Sequence, residues 1–504
     1  MDYSVTTKGN HALKAHPIDL LTGKLKLRAD ALNAHGIVHD AKYVLIWLQQ
    51  TLRGNDHPAI DAGVEIANNL GLPALVYHGV REDYPYASAR LHRFILGASR
   101  EMSRSLEKRG IACLQHIVRP GTETRGLVYK LADDAACVVT DRHATFVAKW
   151  QAENFARKID RAVIAVDATL LVPHSLLPSG LGATKAFRAA HSALRSECFS
   201  ARLEVAPIQP KYSGPFPFAP DVLKDMGDQQ LDSLISQCRI DHSLPVSLEY
   251  PASLAAVSQR ITLLTTKIIE RYQWLRNNPA DPNSSSSLSP YLHFGMASPF
   301  AILRALDIAD VKRSVRWKFL DELLTWREWC HWRMTENPEL IYYDSLPVAA
   351  RRTMEDHSND PRNVVPIDAL LHGETPDETW NAAQKQWLVT GWMHNNLRMY
   401  WAKQILRWTK SPQSAWATAC YLNDRLSLDG RDPATYVMMR WAFGEARPGY
   451  TELPIYGWIA PKSDGALRKR SGAIDWIATM AKTNTLRIEV QDEKTWFNYY
   501  VKDK

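Results

Sequence analysis

Between Trp380 and Tyr436 the chain reads WNAAQKQWLVTGWMHNNLRMYWAKQILRWTKSPQSAWATACYLNDRLSLDGRDPATY, and most groups able to do chemistry lie here or are placed relative to it. Trp401 and Trp408 are seven positions apart, two helical turns, so their indoles share one side roughly 10 Å apart. Indoles at this spacing are more often packing than chemistry. Yet tryptophan is used 17 times in 504 residues, and polar groups adjoin these: Arg398 upstream, Asn423-Asp424 and Asp429-Gly430-Arg431-Asp432 downstream. A guanidinium, an amide and carboxylates in turn-forming sequence are what a site needs to hold a ligand in fixed polar geometry.

Three other stretches carry chemical groups. NSSSSLSPYLHFG puts hydroxyls directly before a helix start, where free backbone N–H groups and side-chain oxygens either cap the helix or cradle a phosphate. In KFLDELLTWREWCHWRM (Lys318 to Met334), Glu328 falls close to Trp329 and Trp332. It is either a half-exposed charge or a carboxyl kept dry for a purpose. Lys462, Arg468, Lys469 and Arg470 form a basic cluster, either plain solvated surface or a contact for phosphates.

The elements that must position these groups follow from pattern. From about Thr390 to Trp408 there is no Pro, and Leu397, Trp401, Ile405 and Trp408 recur on one helical face. Ser411-Pro412 ends that helix and opens the next. Ile261 to Trp274 is another amphipathic helix. The front of the chain differs. Apolar runs at Tyr43–Leu48, Leu72–Tyr77, Ala112–Val118, Ala136–Thr140 and Ala162–Val166 alternate with helical patterns, which predicts a parallel sheet covered on both faces. Five segments are expected: a variable arm (1–38), an α/β domain (39–172), a Pro-rich connector (173–250), an all-α domain (251–478) and an extension (479–504).

Composition excludes several classes. With 45% hydrophobic and 23% charged residues the chain is globular, and no apolar run is long enough to span a bilayer. The N-terminus lacks an apolar signal core, so a cytosolic location and no membrane contact are expected. The six cysteines lack paired spacing, which argues against zinc or a disulfide framework, and no bound metal is expected. Walker, HExxH and GxGxxG words are missing. A net charge of +7 permits a polyanionic partner without requiring one.

The words WNAAQ, MHxxxRMYWAKxILxW, YLND, LDGRDPxxY and SxLSPYLHFG resemble the photolyase and cryptochrome family, and within it the class II cyclobutane pyrimidine dimer (CPD) photolyases. GWMHNNLRM, with Asn395 where class II usually has a small residue, is more like class I and suggests a side branch. The resemblance implies a Rossmann-like antenna domain followed by a helical FAD- and DNA-binding domain. It implies a monomeric deoxyribodipyrimidine photo-lyase, a carbon–carbon lyase, acting on UV-damaged DNA under blue light. FAD, reduced in the active form, would be held by Tyr272, by Ser285, Ser286, Leu288 and Ser289 at its diphosphate, and by the Arg398 and Asp429 pair, with Asn423 beside the central flavin nitrogen. A flipped-out dimer would meet Arg276, Glu328, Trp329, Trp332, Asn395, Met399, Trp441 and Tyr450, with Arg468, Lys469 and Arg470 on the DNA backbone. Glu328 and Asn395 would polarise the dimer carbonyls. Trp401, Trp380 and Trp408 would form the electron path as proximal, medial and distal members. A deazaflavin or folate antenna chromophore is implied for the first domain, where Arg53, Asn55 and Asp56 read as structural. Two alternatives have the same outline. A six-four photolyase relies on an active-site histidine pair, of which only His394 is near, and a cryptochrome-type photoreceptor signals without repair.

Overall fold

The computed structural model describes residues 15–122, 125–199, 204–445 and 451–502. Six strands form one sheet in the order β1-β6-β5-β2-β3-β4. They are β1 (Ala29–Ala31), β2 (Tyr43–Trp47), β3 (Ala74–Val80), β4 (Ala112–Ile117), β5 (Ala135–Asp141) and β6 (Val163–Val166). The five sequence-predicted strands run parallel, and β2 is buried at every position, as a strand covered on both faces must be. β1 was not expected. It pairs antiparallel to β6, with Asp30 opposite Ala165. Residues 15–38 are therefore part of the first domain, anchored by Arg28, which is buried and donates to the carbonyls of Leu170 (2.8 Å) and Leu171 (2.6 Å).

The connector also differs from its expected irregularity. It contains the helices Thr184–Cys198 and Asp228–Ser236. From Leu254 onward the chain is helical, and it closes with Glu493–Tyr500, which packs on the helix Pro412–Leu426 through stacked Tyr421 and Trp496 rings (4.6 Å, 12°). Among the described residues no helix is long and apolar enough to cross a membrane.

The two domains share one continuous core that includes Ile46 and Val139 of the sheet together with Phe294, Trp332 and Trp416. Arg90 is the polar counterpart of that seam. It comes from the helix Ala89–Lys108 and is 1% exposed. Its guanidinium donates to the carbonyls of Trp387 and Leu388, at the end of the helix Glu378–Thr390, and to that of Leu426 (2.8 Å). Terminal helix carbonyls lack intrahelical partners and carry partial negative charge, so one buried cation satisfies two helix ends at once. Arg53 and Asp56 are likewise structural: Arg53 donates to Gly295 O and Ala168 O, and Asp56 accepts from Ser298 and Arg304.

Candidate active site

A cavity of about 820 Å³ opens in the helical domain, large enough for a cofactor-sized ligand. One wall is built by the helix Asn395–Trp408 and the turn after Pro412–Leu426. There Arg398 donates to Asp429 Oδ1 (2.6 Å), Asn423 Oδ1 (3.3 Å) and Ser427 Oγ (3.3 Å). The DGRD loop reaches this position because residue 430 is glycine: a Cβ there would stand 2.7 Å from Asn423 O. Burial alone would raise the Asp429 pKa. The Arg398 charge and the Ser289 and Ser427 hydroxyls overcome it and hold the carboxyl below its ordinary range. The Asn423 side-chain nitrogen donates to no protein group among the described residues, and the amide lines the cavity.

Ser285, Ser286, Leu288 and Ser289 line the same cavity. The serine run is no flexible linker: Ser287 adopts φ +51° in the left-handed region, which folds the loop back over the pocket. Tyr272 lines the wall with its ring edge-on to Phe319 (5.4 Å, 83°). The expected cofactor residues therefore surround one space, and their donor set fits FAD. Serine hydroxyls, an ion pair and an amide with a free side-chain N–H line the same space. Among the described residues no His/Cys/Asp/Glu cluster could hold a metal.

The opposite region differs from the sequence reading. Glu328 does not line the cavity. It is 1% exposed and accepts from Leu171 N (2.7 Å), Val172 N (3.2 Å) and His191 Nε2 (2.7 Å). Trp329 and Trp332 are also buried; Arg333 lies over Trp329 and Phe187 packs on Trp332. The carboxylate of this stretch that lines the cavity is Glu322, six positions earlier. Phe319, Glu322, Leu323, Trp326 and Arg327 recur at three- and four-residue spacing along one helical face that lines the pocket. Glu328 lies beyond the π-helical turn Asp321–Trp326 and is buried outside the cavity. Glu322 Oε1 accepts from Arg276 (3.0 Å) and Lys318 (2.9 Å). Trp326 meets Trp441 at 5.3 Å and 89°, both lining the cavity, and its indole N–H donates to Asp321 (3.2 Å).

Glu328 gives a stability prediction. Burial raises its pKa, but the His191 charge and hydrogen bond and the Leu171 N–H more than offset this, so the carboxyl titrates below its ordinary range. A group depressed by folding stabilises the fold fully above its unfolded pKa and loses that contribution as pH falls through the folded one. Melting temperature should therefore fall more steeply below the ordinary carboxylate range in the natural protein than in Glu328→Gln, followed by thermal unfolding across acid pH.

Asn395 and Met399 reach the cavity, exposed, at the start of their helix. Tyr450 lies outside the described residues. Arg468 is engaged with Glu378 and Asp464, Lys469 is exposed, and Arg470 is half-buried; none lines the cavity. His394 lines it, pushed down to about 4 chiefly by burial, so its imidazole is neutral near pH 7. A second histidine that sequence reading missed, His293, also reaches the wall, tied to Asp432 (3.1 Å).

The tryptophans form a connected row. Trp401 stacks on Trp380 (5.9 Å, 7°), and Trp380 meets Trp408 edge-on (5.3 Å, 82°). Trp380 and Trp401 are fully buried, and Trp408 is 6% exposed. Trp387, not singled out from sequence, also touches Trp401 (5.2 Å, 80°), with Arg398 lying over its ring (5.3 Å).

Comparison with known proteins places this geometry. The DNA photolyase family profile matches residues 44–210. The chain is 30% identical over 434 residues to a deoxyribodipyrimidine photo-lyase of Methanothermobacter thermautotrophicus, covering 85% of this chain and 92% of that one. It is 30% identical over 440 residues to the Arabidopsis thaliana protein of the same name, covering 82% and 84%. Among solved structures, the fold resembles a bacterial class III photolyase from Agrobacterium tumefaciens (TM-score 0.61, 18% identity, 87% and 86% covered) and a Synechocystis cryptochrome (TM-score 0.62, 15% identity, 91% and 95% covered).

Proposed function

Because the chain belongs to the photolyase and cryptochrome family, we propose that it binds FAD and DNA and splits cyclobutane pyrimidine dimers with light. The observation that carries this reading is the placement of two sets of groups in one cavity. Arg398, Asn423 and Asp429 line one part, and Glu322, Arg276, Trp326 and Trp441 line another. The first set holds the cofactor. Reduced FAD, when bound, would supply the light-excited electron that opens the cyclobutane ring and would take it back once the ring has split, so the reaction is redox-neutral overall.

The second set receives a dinucleotide turned out of the helix. A dimer is already poorly stacked and paired, so its extrusion costs only a few kcal/mol; the handling of an extruded base by photolyases is a general case of base flipping. Trp326 and Trp441, held at right angles, give the two rings of a dimer apolar faces to replace lost stacking. Glu322 accepts a hydrogen bond from a pyrimidine N–H. Arg276, beside it, stabilises charge that develops on the dimer carbonyls. Trp326→Ala is expected to weaken binding of dimer-containing DNA by about 1–3 kcal/mol with little effect on undamaged DNA, read by titration of both oligonucleotides.

The test of the proposal is illumination of the purified, reduced protein with an oligonucleotide carrying one thymine dimer, beside one carrying a six-four photoproduct. Restoration of the dimer alone supports the reading. Restoration of the six-four substrate alone would assign His293 and His394 to that chemistry instead, and no restoration of either would leave a photoreceptor.

A further inference from the structure

Two lysines on the cavity wall have no carboxylate to answer them. Lys403 follows Asn395 and Met399 at successive four-residue steps along the cavity-facing side of the helix Asn395–Trp408. Lys462 comes from the loop after Ile459, and its Nζ donates to Asn396 Oδ1 at 2.9 Å. The loop is clipped to the helix. Gln404 Nε2 donates to Lys462 O (2.7 Å), and the Tyr456 hydroxyl donates to Lys403 O (3.0 Å). Three hydrogen bonds thus fix the loop that carries Lys462 against the helix that carries Lys403.

Neither ammonium has an ion-pair partner among the described residues, and Lys403 donates no hydrogen bond there. Burial, then the like charge of Lys462, pushes Lys403 down to about 8. The cavity carboxylates do not relieve this: Glu322 is taken by Arg276 and Lys318, Asp429 by Arg398, and Asp432 by His293. Two cations kept together in a partly dry wall, without a counter-charge, form a site for an anion that arrives with the ligand.

We propose that Lys403 and Lys462 clamp the phosphodiester that joins the two nucleotides swung into the cavity. The assignment rests on the reading of the cavity as a lesion pocket. Position favours DNA phosphate over the cofactor's diphosphate. Lys403 continues the row of Asn395 and Met399, and the proposed function already gives the cofactor's diphosphate to the hydroxyl-lined loop at Ser285–Ser289. The clamp acts only on a nucleotide pair that has left the duplex stack, so it adds affinity for flipped nucleotides and not for DNA in general.

The experiment measures Kd for a short single strand containing one thymine dimer, for its undamaged counterpart, and for a dimer strand whose intradimer phosphate is a neutral methylphosphonate. Lys403→Met and Lys462→Met are each expected to weaken the dimer strand about tenfold and to lower the slope of log Kd against log salt by about 0.7. The undamaged strand should bind as before, and bound FAD absorbance should be retained. The methylphosphonate strand should bind weakly to the unsubstituted protein and no more weakly to the variants, the coupling that direct contact requires. Lys403→Arg, which keeps the charge, should restore most of the affinity. Equal loss on damaged and undamaged strands, additive effects of the substitution and the methylphosphonate, or loss of FAD from the variants would each overturn the clamp. An unsubstituted protein that neither prefers nor repairs the dimer strand would instead overturn the lesion-pocket reading beneath it, and is recognised before any variant is made.

Discussion

Replacing Glu322 by alanine is expected to cut light-driven dimer splitting by about a hundredfold at saturating DNA, the scale on which a preorganised polar group at a reacting carbonyl is felt. FAD content should not change, since Glu322 touches Arg276 and Lys318 and not the Arg398–Asp429 pair. The matched control is Glu328→Ala. Glu328 has no face in the cavity, and its loss leaves His191 and the Leu171 and Val172 N–H groups without an acceptor in a dry interior. Breaking a buried pair in this way costs about 3–5 kcal/mol of stability. The two carboxylates therefore separate cleanly. One variant should unfold normally and fail in repair assays. The other should melt early, while whatever folded fraction remains still repairs. A repair defect in folded Glu328→Ala, with full activity in Glu322→Ala, would return the lesion-facing role to Glu328.

The second large effect concerns how the flavin of the proposed function would be reduced. Trp380→Phe should remove most photoreduction of flavin in the purified protein, and Trp387→Phe should leave it near the natural level, although both indoles touch Trp401. Electrostatics decides between them. The Arg398 guanidinium lies 5.3 Å from the Trp387 ring. A positive charge on that ring would be disfavoured by about 3 kcal/mol at an effective dielectric constant near 20, before partial offset by Asp429. That is about a hundredfold against Trp387 as a hole acceptor. The Trp387 indole N–H also has no acceptor among the described residues, whereas the Trp380 N–H donates to Trp401 O at 3.1 Å. Trp380 stacks face to face on Trp401 and hands on to Trp408, the least buried of the three. Repair by chemically pre-reduced Trp380→Phe should survive, which separates the relay from the lesion chemistry. Loss of photoreduction in Trp387→Phe alone would reverse the assignment.

Much of this was legible in the chain itself. The parallel strands announced themselves as short apolar runs, and β2 is buried at all five positions. Arg398 precedes Asn423 by 25 positions and Asp429 by 31, and they meet in space because the DGRD loop folds onto the helix end where glycine permits it. What escaped notice had weaker local signals. β1 is three residues long and polar at its centre, so no periodicity marks it. The choice of Glu328 over Glu322 was a matter of helix phase. WREW is a tryptophan-rich word, but a helix buries its richest aromatic face against the core, and the face that meets the cavity is the sparser one carrying Glu322 and Trp326. The segment Asp321–Trp326 is also a π-helical turn, whose wider spacing defeats a regular 3.6-residue count. Trp387 and Lys403 carry no signature at all outside their tertiary neighbours.

The last helix has a consequence of its own. Tyr500 shares hydrogen bonds with Asp424 (2.8 Å) and with the Tyr86 hydroxyl of the first domain (2.9 Å). Asp424 neighbours Asn423 in sequence and is fully buried, its pKa raised chiefly by burial. One phenol thus fastens the end of the chain, the cofactor-side helix and the α/β half together. The shared core and these bonds couple the two halves, and a calorimeter should record a single endotherm.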